Sequence, residues 1–163
     1  MLPQTLEIAR ILARGAASPS RKISRLDYRV GVSDADMNRH LTNSRYFNYM
    51  DLGRWDWLIR SGCVGSVLLK QGVRPMVVDI HIQYRRELPF LADFTLDTRC
   101  VGSEGKTLLV EQHFLRGDRV HTRAELKILT VARGKVIPPD PLLVLKTNPL
   151  EIEDWRVVGN GAI

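Results

Sequence analysis

The sequence predicts an α+β fold in which a curved antiparallel sheet wraps around one long central helix. Two observations carry this prediction. Residues 76–128 alternate apolar and polar side chains in consecutive runs separated by short turns, a pattern typical of antiparallel strands. Residues 43–60 are the only stretch long enough, and free enough of proline, to form a helix that covers the apolar face of that sheet.

The N-terminal half predicts a helix, a strand and then the central helix. Residues 3–14 have the apolar spacing of a short amphipathic helix that packs on the body or on a partner subunit, and residues 15–21 form a linker. Residues 25–32 alternate in the manner of a half-buried strand. The central helix follows at 43–60, and Gly62 supplies its stop.

The C-terminal half predicts strands joined by tight turns. The expected elements are a short helix or irregular turn at 63–71 and strands at 76–85, 93–100, 106–116 and 120–128. Residues 102–105 and 117–118 are expected to form the turns between the last three strands. Three prolines from Pro138 to Pro141 then end the sheet.

Length and charge limit the classes of function. The 163 residues predict one domain, divided into an N-terminal segment (1–24), a main domain (25–137) and a C-terminal surface tail (138–163). The net charge of +6 favours anionic partners. Nucleic acid is not expected, because the basic residues form no run of five and no nucleic-acid-binding motif occurs.

The compartment is predicted from what the sequence lacks. No apolar run is long enough to span a bilayer, and the N-terminus shows no secretory signal. Cys63 and Cys100 have neither metal-binding nor redox spacing and are predicted to be reduced thiols. We therefore expect a cytoplasmic protein without a metal site.

The loop ahead of the central helix concentrates polar and ionisable side chains. Residues 33–40 include two carboxylates, an amide and an imidazole, on Asp34, Asp36, Asn38 and His40. A helix N-terminus presents unpaired backbone N–H groups and a partial positive charge, which can hold an oxyanion. A base and oxyanion donors would then lie close together, as acyl transfer or hydrolysis requires.

This order of elements and these motifs resemble the hot-dog-fold thioesterases, specifically the 4-hydroxybenzoyl-CoA-thioesterase-like branch. The matching pattern is D-x-D-x-x-x-H-x-x-N-x-x-Y over residues 34–46, followed by D-L-G-R over residues 51–54. The resemblance covers about residues 26–132. It implies hydrolysis of an acyl thioester without a cofactor, at sites shared between the subunits of a homodimer or a dimer of dimers.

Two runs also resemble acyl-carrier-protein thioesterases. Residues 36–43 (DMNRHLTN) are similar to their D-x-N-x-H-x-N-N run, and residues 82–87 (IQYRRE) contain their Y-R-R-E segment. The resemblance implies that the catalytic residues are Asp36, Asn38 and His40, with Glu87 as a further polar partner. The cysteine that follows that glutamate in the family is Leu88 here, which excludes a thiol nucleophile at this position.

Further residues are expected to bind the substrate. Backbone N–H groups around Asn43, Ser44 and Tyr46 would hold the thioester carbonyl. Arg85 and the surrounding basic surface would hold the phosphates of coenzyme A or of a carrier arm. Most of these candidates also have a structural interpretation: a turn cap for Asp36, a loop brace for Asn38, a helix cap for Asn43, a core aromatic for Tyr46 and an arginine ion pair for Glu87.

Other polar residues are expected to be structural. Asp34 is interpreted as a turn residue or as a partner of Arg39 or Arg45, and Arg54 as the i, i+3 partner of Asp51. Three strand histidines at polar positions are expected on the surface: His81, His113 and His121.

The predicted function is hydrolysis of an acyl-CoA or acyl-carrier-protein thioester. Two alternatives remain open. A hot-dog hydratase or dehydratase would also use an aspartate and a histidine, although the motifs resemble those families less. A non-catalytic acyl-binding protein is the other, because the fold does not fix the function.

Overall fold

The computed structural model describes Leu6, residues 9–11 and residues 23–139. Its strands are β1 (Ile23–Arg29), β2 (Val73–Tyr84), β3 (Asp93–Glu104), β4 (Thr107–Arg116), β5 (Arg119–Ala132) and β6 (Lys135–Ile137), and its long helix is α1 (Asn43–Arg60). The strands form one antiparallel sheet in the order β1-β3-β4-β5-β2, and β6 pairs with the end of β5. The sheet curls around α1, which confirms the predicted α+β class.

Several predicted strand boundaries were wrong: β1 and β2 begin earlier than predicted, at Ile23 and Val73, and β5 continues to Ala132. Two further errors have local reasons. β1 ends at Arg29 because a 3-10 turn over Val32–Asp34 already begins the loop. β3 continues to Glu104, since Gly102 lies at a bulge in the pairing with β4 instead of in the turn. The turn itself is only Gly105–Lys106, where Gly105 has a φ of 56°, in the left-handed region that glycine favours.

The sequence left one further element undetermined and did not predict another. The segment interpreted as a short helix or irregular turn contains a π-helical turn over Val64–Leu69. β6 was not predicted. It has three residues and pairs with the last three residues of β5, which extend past the part of β5 that pairs with β4. Such a short strand has too few residues to show an alternating pattern.

Helix α1 covers the inner face of the sheet at very close range. A Cβ on Gly53 would lie 2.5 Å from Oγ1 of Thr98 and 2.9 Å from Nε2 of Gln112. The Gln112 amide donates to the Met50 carbonyl at 2.9 Å and to Thr98 Oγ1 at 2.8 Å. Glycine at position 53 therefore lets the helix backbone approach β3 and β4 closely enough for this bond.

The core lies between α1 and alternate residues of the central strands. The strand residues that are buried toward the helix include Leu96, Leu108, Val110, Phe114, Leu126 and Ile128. An aromatic cluster joins α1 to β1 and β3, with ring centroids of Tyr49 lying 4.7 Å from Tyr28 and 5.1 Å from Phe94. Each such buried side chain contributes about 1.5–3 kcal/mol through removal of apolar surface from water.

The outer face of the sheet carries a row of charged side chains. Asp97 on β3 is opposite Arg25 on β1 and His113 on β4, and His113 is in turn opposite Arg123 on β5. Asp97 accepts two bonds from Arg25, at 2.8 and 2.7 Å. Arg123 also donates to Glu111 at 2.9 Å. The two members of this row on the inner strands, Asp97 and His113, are buried, whereas Arg25 is exposed and Arg123 is half-buried.

The prediction that the strand histidines lie on the surface was wrong for two of them. His113 is 4 % exposed and His121 is 8 % exposed, whereas His81 is exposed as predicted. His113 and His121 lie on the central strands β4 and β5, and His81 lies on the edge strand β2. For these three histidines, burial follows the position of the strand within the sheet, which the alternation along a single strand does not reveal.

The N-terminal helix predicted at 3–14 lies mostly outside the described residues. Leu6 and residues 9–11 are helical, and Ile11 belongs to the buried core. The predicted linker at 15–21 also lies outside them, as does the predicted C-terminal tail (138–163) apart from residues 138 and 139. Within the described ranges, no helix has both the length and the apolar character needed to cross a membrane.

The buried imidazole of His113 makes the stability of the fold sensitive to acid. Burial, followed by the charges of Arg123, Arg99 and Arg85, lowers its pKa from 6.5 to about 3. Between these values the unfolded chain binds a proton that the folded chain does not, so stability falls as the pH decreases through this window, by at most about 1.4 kcal/mol per pH unit. We expect His113→Gln to reduce the difference in unfolding free energy between about pH 7 and about pH 4.5, measured by urea titration.

His81→Gln, at an exposed position, is the matched control and should leave the acid dependence unchanged. An acid dependence that is identical in the wild type and in His113→Gln would contradict the assignment.

Candidate active site

A cavity of about 170 Å³ opens at the N-terminal end of α1, beside the end of β2. Its walls come from the loop before α1, from the first turns of the helix and from the segment after β2. The lining residues are His40, Leu41, Asn43, Tyr46, Tyr84, Arg85, Arg86 and Glu87. The fold therefore brings together residues from two segments that the sequence separates by about forty positions.

Asp34 fixes the loop before α1 from the inside. Its side chain is nearly fully buried, and Oδ2 accepts from the Gly31 N–H at 3.2 Å and from the Tyr49 hydroxyl at 2.8 Å. Nε of Arg45 lies 3.5 Å from Oδ1. The Asp34 carbonyl accepts from the N–H of Thr42 at 2.9 Å and from its hydroxyl at 3.0 Å. One residue thus ties the exit of β1 to α1, and Arg45 is its charged partner.

Asp36 closes a tight turn within the same loop. Oδ1 accepts from the Asn38 N–H at 2.9 Å, which is an Asx-turn, and the Asp36 carbonyl accepts from the Arg39 N–H at 3.0 Å. The backbone of Arg39 has a φ of 62°, a value that residues other than Gly, Asn and Asp rarely adopt. Within the described part of the chain, Oδ2 of Asp36 accepts no hydrogen bond. The residue therefore caps a turn with one oxygen and keeps the other available.

The imidazole of His40 stands between two carboxylates. Its Nδ1 lies 3.6 Å from Oδ1 of Asp36, and its Nε2 lies 3.9 Å from Oε1 of Glu87. Both separations are longer than a hydrogen bond, so the three groups approach one another without bonding. Contacts of this kind often tighten only in a substrate complex, after which the imidazole could pass a proton between them.

Helix α1 begins without a side-chain cap. Thr42 is the N-cap residue, but its hydroxyl donates to the Asp34 carbonyl and accepts nothing from the helix. The interpretation of Asn43 as the cap was wrong, because Asn43 is already the first helical residue. The Arg45 N–H donates to the Thr42 carbonyl at 2.9 Å, but no side-chain cap covers the N–H groups of Asn43 and Ser44 or the positive end of the helix dipole, where Asn43 lines the cavity.

His121 anchors the segment after β2, which forms one wall of the cavity. Its carbonyl accepts from the N–H groups of Arg85 and Arg86, both at 2.9 Å. Its Nδ1 lies 2.7 Å from the Glu87 carbonyl and donates to it, because a carbonyl can only accept. Burial lowers the pKa of His121, and the bond to Glu87 partly offsets this effect. A neutral imidazole therefore anchors the segment that carries Glu87.

Two tyrosines close the apolar side of the cavity. Tyr46 packs edge-on against Tyr84, with ring centroids 5.1 Å apart, and against Phe114 at 4.8 Å. Burial raises the pKa of both Tyr46 and Tyr84. Both hydroxyls are protonated at neutral pH and act there as hydrogen-bond donors or acceptors, not as bases.

Several residues predicted at the site lie outside the cavity walls. Asp36 reaches the cavity only through its neighbour His40. Asn38 and Ser44 are exposed, and in the described residues neither side chain makes a hydrogen bond. The structure brings His40 and Glu87 together in one cavity with the other predicted residues that line it: Asn43, Tyr46 and Arg85.

Other wall residues were not anticipated from the sequence. Tyr84 had a usable signal, since its alternation with Ile82 and Ile80 puts it on the sheet face that α1 covers. Arg86 was considered only as an ion-pair partner of Glu87. The anchoring by His121 had no local signal, because it depends on contact between the residues after β2 and strand β5.

A sequence model of the thioesterase-like superfamily matches residues 30–146. The solved structures that share the fold include two probable thioesterases. The YbaW probable thioesterase from Escherichia coli superposes with a TM-score of 0.69 at 20 % identity, over 75 % of this chain and 95 % of that one. A probable thioesterase from Bartonella henselae superposes with a TM-score of 0.63 at 22 % identity, over 71 % and 98 % of the two chains.

The protein also resembles a curated protein by sequence. Protein THEM6 from Drosophila melanogaster is 23 % identical over 111 residues, which is 68 % of this chain and 55 % of that protein. The chain thus spans about half the length of the curated relative that it matches. The superfamily match covers the whole cavity wall, from the loop before α1 to the segment after β2.

The bonds of Asp34 lead to a prediction about stability. Asp34→Asn removes the charge that faces Arg45 and turns one of the two acceptor oxygens into a donor. Hydrogen bonds to a buried charged group are worth about 1.5–3 kcal/mol, so we expect the free energy of unfolding in urea to fall by about this amount. Asp93→Asn, at an exposed carboxylate on β3, should change it by less than about 0.5 kcal/mol. Equal effects of the two substitutions would show that Asp34 does not anchor the loop.

Proposed function

The chain belongs to the thioesterase-like superfamily, and from that premise we propose that it hydrolyses an acyl thioester to a free acid and a thiol. The substrate would be an acyl-CoA or an acyl group on a carrier protein. One observation supports this proposal above the others. An uncapped helix N-terminus and the imidazole of His40 meet at one cavity, and the carboxylates of Asp36 and Glu87 flank that imidazole.

In the proposed reaction the thioester carbonyl oxygen accepts hydrogen bonds from N–H groups near Asn43, Ser44 and Tyr46. These donors stabilise the negative charge that develops on the oxygen, and removal of one such donor in other enzymes costs about 10²–10³ in rate. The uncapped start of α1 supports this assignment, because nothing in the Thr42 side chain competes for these groups.

Asp36 is the proposed base or nucleophile. As a base, it takes a proton from water while the water oxygen bonds to the carbonyl carbon. As a nucleophile, Oδ2 itself forms that bond, and water then hydrolyses the resulting anhydride. In both routes the carbon–sulfur bond breaks, and the leaving thiolate takes up a proton. We assign the donation of this proton to His40. The free Oδ2 of Asp36 and the 3.6 Å separation from His40 are compatible with either route.

Glu87 and Asn38 have supporting roles in this proposal. Glu87 lies 3.9 Å from Nε2 of His40 and would orient the imidazole that passes a proton to the leaving thiolate. The N–H of Asn38 donates to Asp36 in the Asx-turn, and the exposed side-chain amide of Asn38 would position water or substrate.

The rim of the cavity supports recognition of a phosphate-bearing thiol. Arg85 and Arg86 line the cavity. The charges of Arg86, Arg116 and Arg119 all lower the pKa of His121, so these three side chains lie near the same edge. Guanidinium groups bind phosphates bidentately, which fits the phosphates of coenzyme A or of a phosphopantetheine arm.

A non-catalytic acyl-binding protein is the second candidate. It is favoured by the Asx-turn that already occupies one oxygen of Asp36 and by the exposure of Asn38 and Glu87. Such a protein would bind acyl thioesters in the same cavity without turnover.

We also propose a homodimer that pairs the edge strand β2 of two copies. β2 is twelve residues long and has β5 as its only partner strand in the described sheet. It exposes Met76, Val77 and Val78 to solvent. A long apolar edge is a template for pairing with another chain. Because Tyr84 ends this strand and lines the cavity, a partner on β2 would lie close to the site.

The two cysteines support a reducing, cytoplasmic setting for this activity. Cys63 and Cys100 are both buried, and neither forms a disulfide within the described residues. Free thiols without a disulfide are typical of proteins that fold and remain in a reducing compartment.

Replacement of Asp36 tests the proposed hydrolysis. Asp36→Asn keeps an acceptor oxygen for the Asn38 N–H, so the turn should persist while the base or nucleophile is lost. We expect kcat for thiol release from a panel of short, medium, long and aromatic acyl-CoAs to fall by about 10²–10⁴. Asp118→Asn, in the exposed turn between β4 and β5, is the matched control and should retain full activity.

Binding of these acyl-CoAs without turnover in the wild type would favour the acyl-binding alternative, provided that acyl-carrier-protein thioesters are also not cleaved. Turnover that survives in Asp36→Asn would exclude the role given to this residue.

A charged residue on the edge of β2 tests the proposed dimer. Val78→Lys places a cation where two copies would meet, and like charges facing across paired strands are destabilising. We expect the molar mass from light scattering to change from dimer to monomer, and turnover to fall with it. Val136→Lys, at an exposed valine on β6, should remain dimeric. A monomeric wild type would contradict the proposal.

A further inference from the structure

A second and larger cavity, of about 320 Å³, lies further along α1 and beside the first half of β2. Most of its wall is apolar and includes Leu58, Pro75, Val77 and Ile128. One end is polar, because Asp51 and Arg54 of α1 also line it. An apolar chamber with a single polar end is the arrangement expected of a site that orients a ligand.

Arg54 is held at that end by groups that reach into the core. Its side chain is 14 % exposed, and Nη2 pairs with Oδ1 of Asp51. Nη1 donates to Oε1 of Gln112 at 3.2 Å, and Gln112 is fully buried and donates in turn to Thr98. Burial of the guanidinium lowers the pKa of Arg54, and Asp51 opposes this effect. Removing this cation from water costs free energy, which its contacts with Asp51 and Gln112 offset and which a purely structural helix face does not require.

The close approach of the helix keeps this network rigid. Gly53 lies directly before Arg54, and a Cβ there would collide with Thr98 and Gln112. The backbone beside Arg54 therefore cannot move away from the sheet without breaking the bonds of Gln112. The guanidinium is thus positioned in advance of any ligand.

The polar end of the chamber retains capacity for hydrogen bonding. A guanidinium has five N–H donors, and the described contacts with Asp51 and Gln112 engage Nη2 and Nη1. The side chain of Asp51 is 48 % exposed and thus still contacts solvent. A ligand that ended in a methyl group would displace water from these groups without replacing its hydrogen bonds, which is unfavourable.

The chamber and the candidate active site lie on one seam between α1 and β2. Tyr84 lines the active-site cavity and Val77 lines the chamber, and the half-buried Ile82 and Ile80 lie between them on the same face of β2. On α1, the rise from Tyr46 to Arg54 is about 12 Å. A medium-chain acyl group can bridge this length, and an acetyl group cannot.

We propose that the chamber receives the far end of a medium-chain acyl group and that this end bears an oxygen, either a hydroxyl or a carboxylate, which accepts hydrogen bonds from Arg54. This inference rests on the proposed function for its acyl thioester, and it adds the class of acyl group. Asp51 would accept a bond from a hydroxyl, whereas it would repel a carboxylate, so the two oxygen groups can be distinguished.

The test measures binding, so that it does not depend on hydrolysis. Three non-hydrolysable pantetheine thioethers would carry the same medium-chain 2-oxoalkyl group, ending in a methyl, a hydroxyl or a carboxylate. Isothermal titration calorimetry of the wild type should show that the hydroxyl or the carboxylate analogue binds with a Kd about ten- to a hundredfold lower than that of the methyl analogue. Equal or tighter binding of the methyl analogue would overturn the inference.

Variants assign the effect to the chamber. Arg54→Met should bind all three analogues with similar affinity, and Arg133→Met, in the exposed turn between β5 and β6, should retain the preference of the wild type. Asp51→Asn should improve binding of the carboxylate analogue relative to the hydroxyl analogue. A preference that persists in a folded Arg54→Met would also overturn the inference, and if this variant does not fold, the ranking in the wild type decides.

The two proposals fail in different ways. Hydrolysis of plain acyl-CoAs together with tight binding of the methyl analogue would keep the proposed function and exclude the oxygenated acyl group. Preferential binding of an oxygenated analogue without hydrolysis of any thioester would support the chamber and exclude the enzyme.

Discussion

The geometry of the candidate site depends on one buried carboxylate, that of Asp34. A charge removed from water is tolerated only where hydrogen bonds and a cation replace the lost solvation. For Asp34 these come from Gly31 at the exit of β1 and from Tyr49 and Arg45 on α1. Satisfying this charge folds the loop back onto the start of the helix. The positions of Asp36 and His40 relative to the first-turn N–H groups follow from that constraint.

The features that could be predicted are those encoded by local pattern. Alternation located the four long C-terminal strands, and the absence of proline over 43–60 located α1 with its observed ends. The motif between Asp34 and Tyr46 identified the loop, because its spacing is contiguous in the chain. The grouping of Glu87 with His40 came only from resemblance to a family, since no local pattern links two residues so far apart.

The features that were missed depend on contacts between distant segments. His113 and His121 occupy positions that the alternation assigns to the polar face, and their place on central strands buries them. The use of the Thr42 hydroxyl by Asp34 could not be foreseen either, because threonine before a helix usually caps it. In each case the local preference is real, and a tertiary partner overrides it.

The burial of both cysteines has a practical consequence for work on this molecule. Alkylating reagents react with thiolates, and neither Cys63 nor Cys100 is accessible in the folded chain. Burial also raises the pKa of the Cys63 thiol, which reduces its thiolate fraction further. Both thiols become reactive when the domain opens. The protein therefore carries an intrinsic reporter of opening, since the rate of thiol alkylation under native conditions would report how often the core around α1 is exposed.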